Sequence, residues 1–155
     1  MSKLDAELLM NGLLPFAEQM LSEFGEFHPF GGYLDRNKEI VHVSVLDEQS
    51  SAKEKIEFFK QSFSQLAENG EALAFGIVFD VIRSFKDGSK GDAIKMVLEH
   101  KDGYCANLFF RYRIQKGTVD IIETIAQRGT PLFFGIQNEK HGSDNNSEKH
   151  GVENN

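Results

Sequence analysis

Asp92-Ala93-Ile94-Lys95-Met96-Val97-Leu98-Glu99-His100 places Ile94, Met96 and Leu98 on one side of an extended chain and Lys95, Val97 and Glu99 on the other. That period of two is the mark of a β-strand. Lys101-Asp102-Gly103 follows, and Asp-Gly between two such runs is a strong signal for a tight hairpin. Tyr104 to Ile114 forms the return strand. Gln115-Lys116-Gly117 then supplies a second turn, and Thr118 to Gln127 a further strand. Upstream, the long apolar run Leu73 to Ser84 is joined to Asp92 by the polar loop Lys86-Asp87-Gly88-Ser89-Lys90-Gly91. Four strands joined by short polar turns make an antiparallel meander.

Nearer the start, Phe30-Gly31-Gly32-Tyr33-Leu34 and Glu39-Ile40-Val41-His42-Val43-Ser44-Val45 flank the turn-like Asp35-Arg36-Asn37-Lys38 and read as a hairpin. Val41, Val43 and Val45 alternate with His42 and Ser44, so the valine face is expected inward and His42 outward. Two helices complete the pattern. Leu9, Leu13, Phe16, Ala17, Met20, Leu21 and Phe24 recur three or four residues apart, after a capping-box-like Ser2 and Asp5. Gly12 and Pro15 predict a kink or break in that helix, and Gly25 its end. Ser51 and Glu54 form a second capping box. Behind it, Ile56, Phe59, Phe63 and Leu66 share one helical face until Asn69-Gly70.

The expected fold is therefore α+β, in the order α-β-β-α-β-β-β-β. It has an antiparallel sheet of about six strands with both helices on one face and the other face open. Residues 1–135 read as a single domain and 136–155 as a disordered polar tail. Val152 is the only aliphatic residue after Gln137, too little apolar surface to repay ordering. Glu139-Lys140-His141-Gly142 recurs there as Glu148-Lys149-His150-Gly151, which reads as local duplication more readily than as a metal-binding tail.

A chain of 155 residues can bury a core without staples. Its 14 Phe, against 3 Tyr and no Trp, are read as core packing. Net charge is −7, which disfavours nucleic acid and anionic membranes and is compatible with a protein partner. One cysteine, Cys105, permits no internal disulfide and no thiolate cluster, and its apolar surroundings predict an unreactive thiol. The first residues lack the apolar stretch of a signal peptide, so a cytoplasmic location is expected.

No motif for catalysis, cofactor or metal emerges, and none of the three is expected. Phe30-Gly31-Gly32 lacks phosphate-loop spacing and precedes a strand. Asp80, Glu99 and His100 lie on neighbouring strands, but no rule of spacing unites them. The residues assigned to partner binding are Phe109, Arg111 and Arg113. On a strand these share the face opposite to Leu108, Phe110, Tyr112 and Ile114, and arginines and aromatics are enriched where proteins bind one another. The competing reading is a solvated strand face with ion pairs to Glu99 or Glu123.

Three segments carry a resemblance: Leu14-Pro15-Phe16-Ala17 leading to Gly25-Glu26-Phe27-His28-Pro29-Phe30-Gly31, Asp102-Gly103-Tyr104 with Phe109-Phe110 and Tyr112, and Ala126-Gln127-Arg128-Gly129. In these the chain resembles small stand-alone bacterial α+β proteins of the toxin-immunity type. The resemblance implies a tight protein–protein inhibitor rather than an enzyme, and it assigns no residue a role. The expected function is thus a non-enzymatic protein-binding domain whose partner is a toxin, another protein or a second copy in a homodimer. A small-molecule-binding or enzymatic domain with a pocket between helices and sheet is the alternative.

Overall fold

The computed structural model describes residues 2–134. The expected tail over 136–155 lies outside the described residues. In chain order the elements are α1 (Ser2–Phe24), β1 (Phe30–Asp35), β2 (Ile40–Val43), α2 (Ala52–Glu68), β3 (Ala72–Ser84), β4 (Lys90–His100), β5 (Cys105–Gln115) and β6 (Thr118–Arg128). This is the α+β order read from the sequence. The six strands form one antiparallel sheet in the order β2-β1-β3-β4-β5-β6. The four C-terminal strands make the expected meander, and the N-terminal hairpin joins it through β1 and β3.

The helices lie on opposite faces of the sheet, which corrects the expectation that both lie on one. Leu9, Leu13, Ala17 and Leu21 of α1 pack with Leu34, Ala74, Val78, Ile94, Met96, Leu98, Leu108 and Phe110. Phe59 and Phe63 of α2 pack with Phe75, Ile77 and Phe133. Ala74 and Val78 alternate with Phe75 and Ile77 along β3, so the two sets project to opposite sides. The run Ala74-Phe75-Gly76-Ile77-Val78 is buried without a break because both its faces are covered.

A paired glycine site sets how close α1 comes. Gly32 and Gly76 are register partners on β1 and β3. A Cβ on Gly32 would lie 2.7 Å from Leu13 Cδ2, and one on Gly76 would lie 2.7 Å from Leu13 Cδ1. Leu13 therefore fills the space that two missing side chains leave, and it is fully buried there.

The expected break in α1 is absent: the helix runs through both Gly12 and Pro15. Tertiary packing overrides the local penalty of an interior proline. A Cβ at Gly12 would sit 2.3 Å from Ile40 Cδ1, so a side chain there would need the end of Ile40 to move aside, and the Gly12 carbonyl accepts from His42 Nε2 at 3.1 Å. His42 is exposed, as read from its strand. Phe16 and Phe24, placed by spacing on the core side of α1, are 37% and 71% exposed. The Asp5 carboxylate meets His100 and Lys38. The Ser51–Glu54 capping box of α2 is present in both directions.

Candidate functional site

α2 rests on β1 and β3, so its face of β4 and β5 lies beyond the helix. Apolar side chains on that region still need cover. Three cations provide it. The Arg83 guanidinium lies 4.2 Å from the centre of the Phe109 ring and 5.7 Å from that of Phe85. Lys95 Nζ lies 5.4 Å from Phe109 and 5.5 Å from Phe79. Arg111 lies 4.0 Å from Phe85. The result is an alternating ladder: Phe79, Lys95, Phe109, Arg83, Phe85, Arg111. Each cation meets the negative face of a ring, and its alkyl stem shields carbon from water. With Val81, Ala93 and Ile125 packed against them as well, Phe109 and Phe85 are only 9% and 7% exposed, although no helix covers them.

Strand register brings these residues together. Phe79 and Lys95 are partners across β3 and β4, Lys95 and Phe109 across β4 and β5, and Ala93 and Arg111 one step further along. Ala93 is small and fully buried, which leaves room for the larger neighbours above it. Phe85 enters from the β3–β4 turn, closed by the Phe85 N–H donating to the Ser89 carbonyl.

The two arginines of the ladder differ. Arg111 is held from several sides: Nη1 donates to Asp87 Oδ2 at 3.2 Å and Glu123 Oε1 at 3.4 Å, and Nη2 to Ser89 Oγ at 2.8 Å. The Ser89 hydroxyl and N–H, with Arg111, hold the Asp87 carboxyl down at about 2. Arg83 Nε donates to the Ser84 carbonyl at 3.2 Å, and its Nη1 is buried without an acceptor.

Of the three residues assigned from sequence, Phe109 and Arg111 belong to this ladder and Arg113 does not. Phe109 is buried under the cations rather than presented on an open face. Arg113 is exposed, opposite Asp120. The ion pair expected with Glu123 forms from Arg111. Arg83, Lys95, Phe79 and Phe85 were not singled out from the sequence. Phe79 and Arg83 do share a strand face with the same period as Phe109 and Arg111, but only strand register sets them side by side.

Asp80, Glu99 and His100 stand apart. Asp80 accepts from the Tyr112 hydroxyl at 2.9 and 3.1 Å on the α1 side, and burial raises its carboxyl to about 6 against that hydrogen bond. Glu99 points to the α2 side. It is 2% exposed and accepts the backbone N–H groups of Leu132, Phe133 and Phe134; burial raises its carboxyl while these donors oppose the rise. His100, its neighbour on β4, projects the other way. Its Nδ1 accepts from the Asp102 N–H at 3.0 Å and its Nε2 donates to Asp5 Oδ2 at 2.9 Å, tying the start of α1 to the β4–β5 turn. Cys105 is half-buried, its thiol pushed up to about 12 by burial and by Glu99 beside it.

Among the described residues, no group of three or more His, Cys, Asp or Glu side chains converges where it could hold a metal ion. No helix of the described residues is long and apolar enough to cross a membrane. No protein-family model matches the chain, and no curated protein or solved structure matches it either.

Proposed function

We propose that this chain works as a protein-binding domain, with the partner seated on the β3–β5 face beyond α2. The observation that carries this reading is the cation–aromatic ladder. It gathers three cations over three rings on one face of a chain whose net charge is −7. Arginines and aromatics that part with water together supply much of the energy at protein interfaces. The best-partnered buried acids serve the fold instead: Glu99 holds residues 132–134, and Asp5 holds His100.

An immunity-type inhibitor that sequesters a bacterial toxin in the cytoplasm is the biological form this takes, and the resemblance in the sequence supports it. A homodimer through the same face is the weaker form. An isologous contact opposes a patch to itself, and here that sets cations against cations. The enzymatic alternative rests on Asp80 and Tyr112, one carboxyl and one phenol within hydrogen-bonding reach of each other.

The test is capture from the native cytoplasm with the wild-type chain and with the double variant Arg83→Glu/Arg111→Glu, its fold checked by circular dichroism. One defined protein retained by the wild type and lost from the folded double variant is the expected result. Equal retention by both would remove the ladder from the interface.

A further inference from the structure

We propose that Arg83 is the seat of a carboxylate supplied by the partner, so that the surface this chain binds is acidic. The inference rests on the binding reading above and names the chemistry of that partner.

Four observations carry it. Arg83 sits at the middle of the ladder, between the Phe109 and Phe85 rings. Its Nη1 is buried with no acceptor, although a buried donor left unpaired is costly and rare in native proteins. No carboxylate of the described residues forms an ion pair with it, whereas Arg111, two strands away, engages Asp87 and Glu123. Finally, Arg83 and Lys95 gather beside Arg111 on a chain whose net charge is −7, while the acids Asp87 and Glu123 are taken up by Arg111, so an acidic segment finds its attraction at Arg83.

The geometry suits a carboxylate. A guanidinium presents a planar fork that matches two oxygens, and in the free chain it rests beside the Phe109 and Phe85 rings. The guanidinium turns outward from Phe109 to meet the incoming group, and Nη1 gains the acceptor it lacks in the free chain. Arg111, with its own acids, closes one end of the seat. The seat is therefore single and central, which makes Arg83 the residue that sets specificity for an acidic partner.

The experiment uses a fluorescently labelled oligoglutamate peptide as the probe, oligolysine of equal length as the control, and the full chain. Wild type is expected to bind oligoglutamate in low salt and to lose it as salt rises, with no binding of oligolysine to this face. The Nε–Hε signal of Arg83, followed by NMR in the wild type, is expected to shift on addition of oligoglutamate. Arg83→Met keeps the apolar stem without the fork. It is expected to fold with a thermal midpoint no lower than wild type and to bind at least about tenfold more weakly. A purely structural arginine would give the reverse: a lowered midpoint and unchanged binding. An unshifted Arg83 signal in saturating oligoglutamate, or equal binding by Arg83→Met, overturns the proposal. A chain that captures a defined protein through the ladder yet ignores oligoglutamate keeps the binding reading and refutes the carboxylate seat. Failure of both refutes both.

Discussion

The backbone N–H of Phe133 donates to Glu99 Oε1 at 3.0 Å, joining residues 34 apart across the α2 side of the sheet. Leu132 N–H reaches the same oxygen at 2.6 Å, and Phe134 N–H reaches Oε2 at 2.8 Å. Three successive donors on one carboxylate bring the Phe133 ring against Phe63 and Phe75, at centroid distances of 5.9 and 5.1 Å. Glu99→Gln leaves one acceptor oxygen and turns an amide N–H toward backbone donors. It is expected to lower stability by about 1–3 kcal/mol, read by urea denaturation. A cut after Thr130 removes the clamp and should lower the thermal midpoint clearly. A cut after Gln137 should leave it unchanged, because the residues removed are almost wholly polar.

Asp80 predicts a pH dependence with a definite sign. Burial raises its folded-state carboxyl from 3.8 to about 6, against the hydrogen bond from Tyr112. The folded state therefore binds the Asp80 proton more tightly than the unfolded state does. Its contribution is complete below the unfolded value of 3.8 and is lost as pH rises through about 6. Asp80→Asn keeps an acceptor for Tyr112 and removes the titration. Between pH about 4 and about 6, wild type should lose roughly 1–2 kcal/mol relative to Asp80→Asn, less than the full shift because solvent screens the half-buried carboxylate. Parallel stability curves over that range would show that Asp80 titrates normally.

The contact between Leu13 and the two glycines predicts strong coupling. Gly76→Ala places a methyl 2.7 Å from Leu13 Cδ1 in a fully buried site. It should cost about 1–3 kcal/mol through overpacking, and Leu13→Ala about 2–5 kcal/mol through the cavity it opens. The double variant should cost less than the two together, since each change relieves the other. Additive costs in a double-mutant cycle would mean that Leu13 and Gly76 do not share that space.

Cys105 should be inert. Its thiol is pushed up to about 12, so very little thiolate exists at neutral pH. A thiol reagent should label the native chain slowly and the denatured chain at once. Fast labelling without denaturant would place Cys105 in a far more open setting.

Local order was legible in the sequence because it depends on near neighbours. The period of two in Ile94, Met96 and Leu98, the Asp102-Gly103 turn and the Ser51–Glu54 box each act within a few residues. Together they determined the element order and the antiparallel meander. The continuous apolar run Ala74 to Val78 also held a sign of two covered faces, but a fully buried strand carries no mark of which helix lies on which side. That choice falls to packing: Leu13 can seat only where Gly32 and Gly76 meet, and Phe63 only against Phe75 on the reverse. The ladder is tertiary in the same way. Arg83 and Phe109 stand 26 positions apart in the chain, and only the pairing of β3 with β4 and of β4 with β5 lays the guanidinium over the ring. Strand identity is set by local periodicity, whereas register and sheet faces depend on contacts between residues far apart in the chain, so those were decided by the tertiary structure alone.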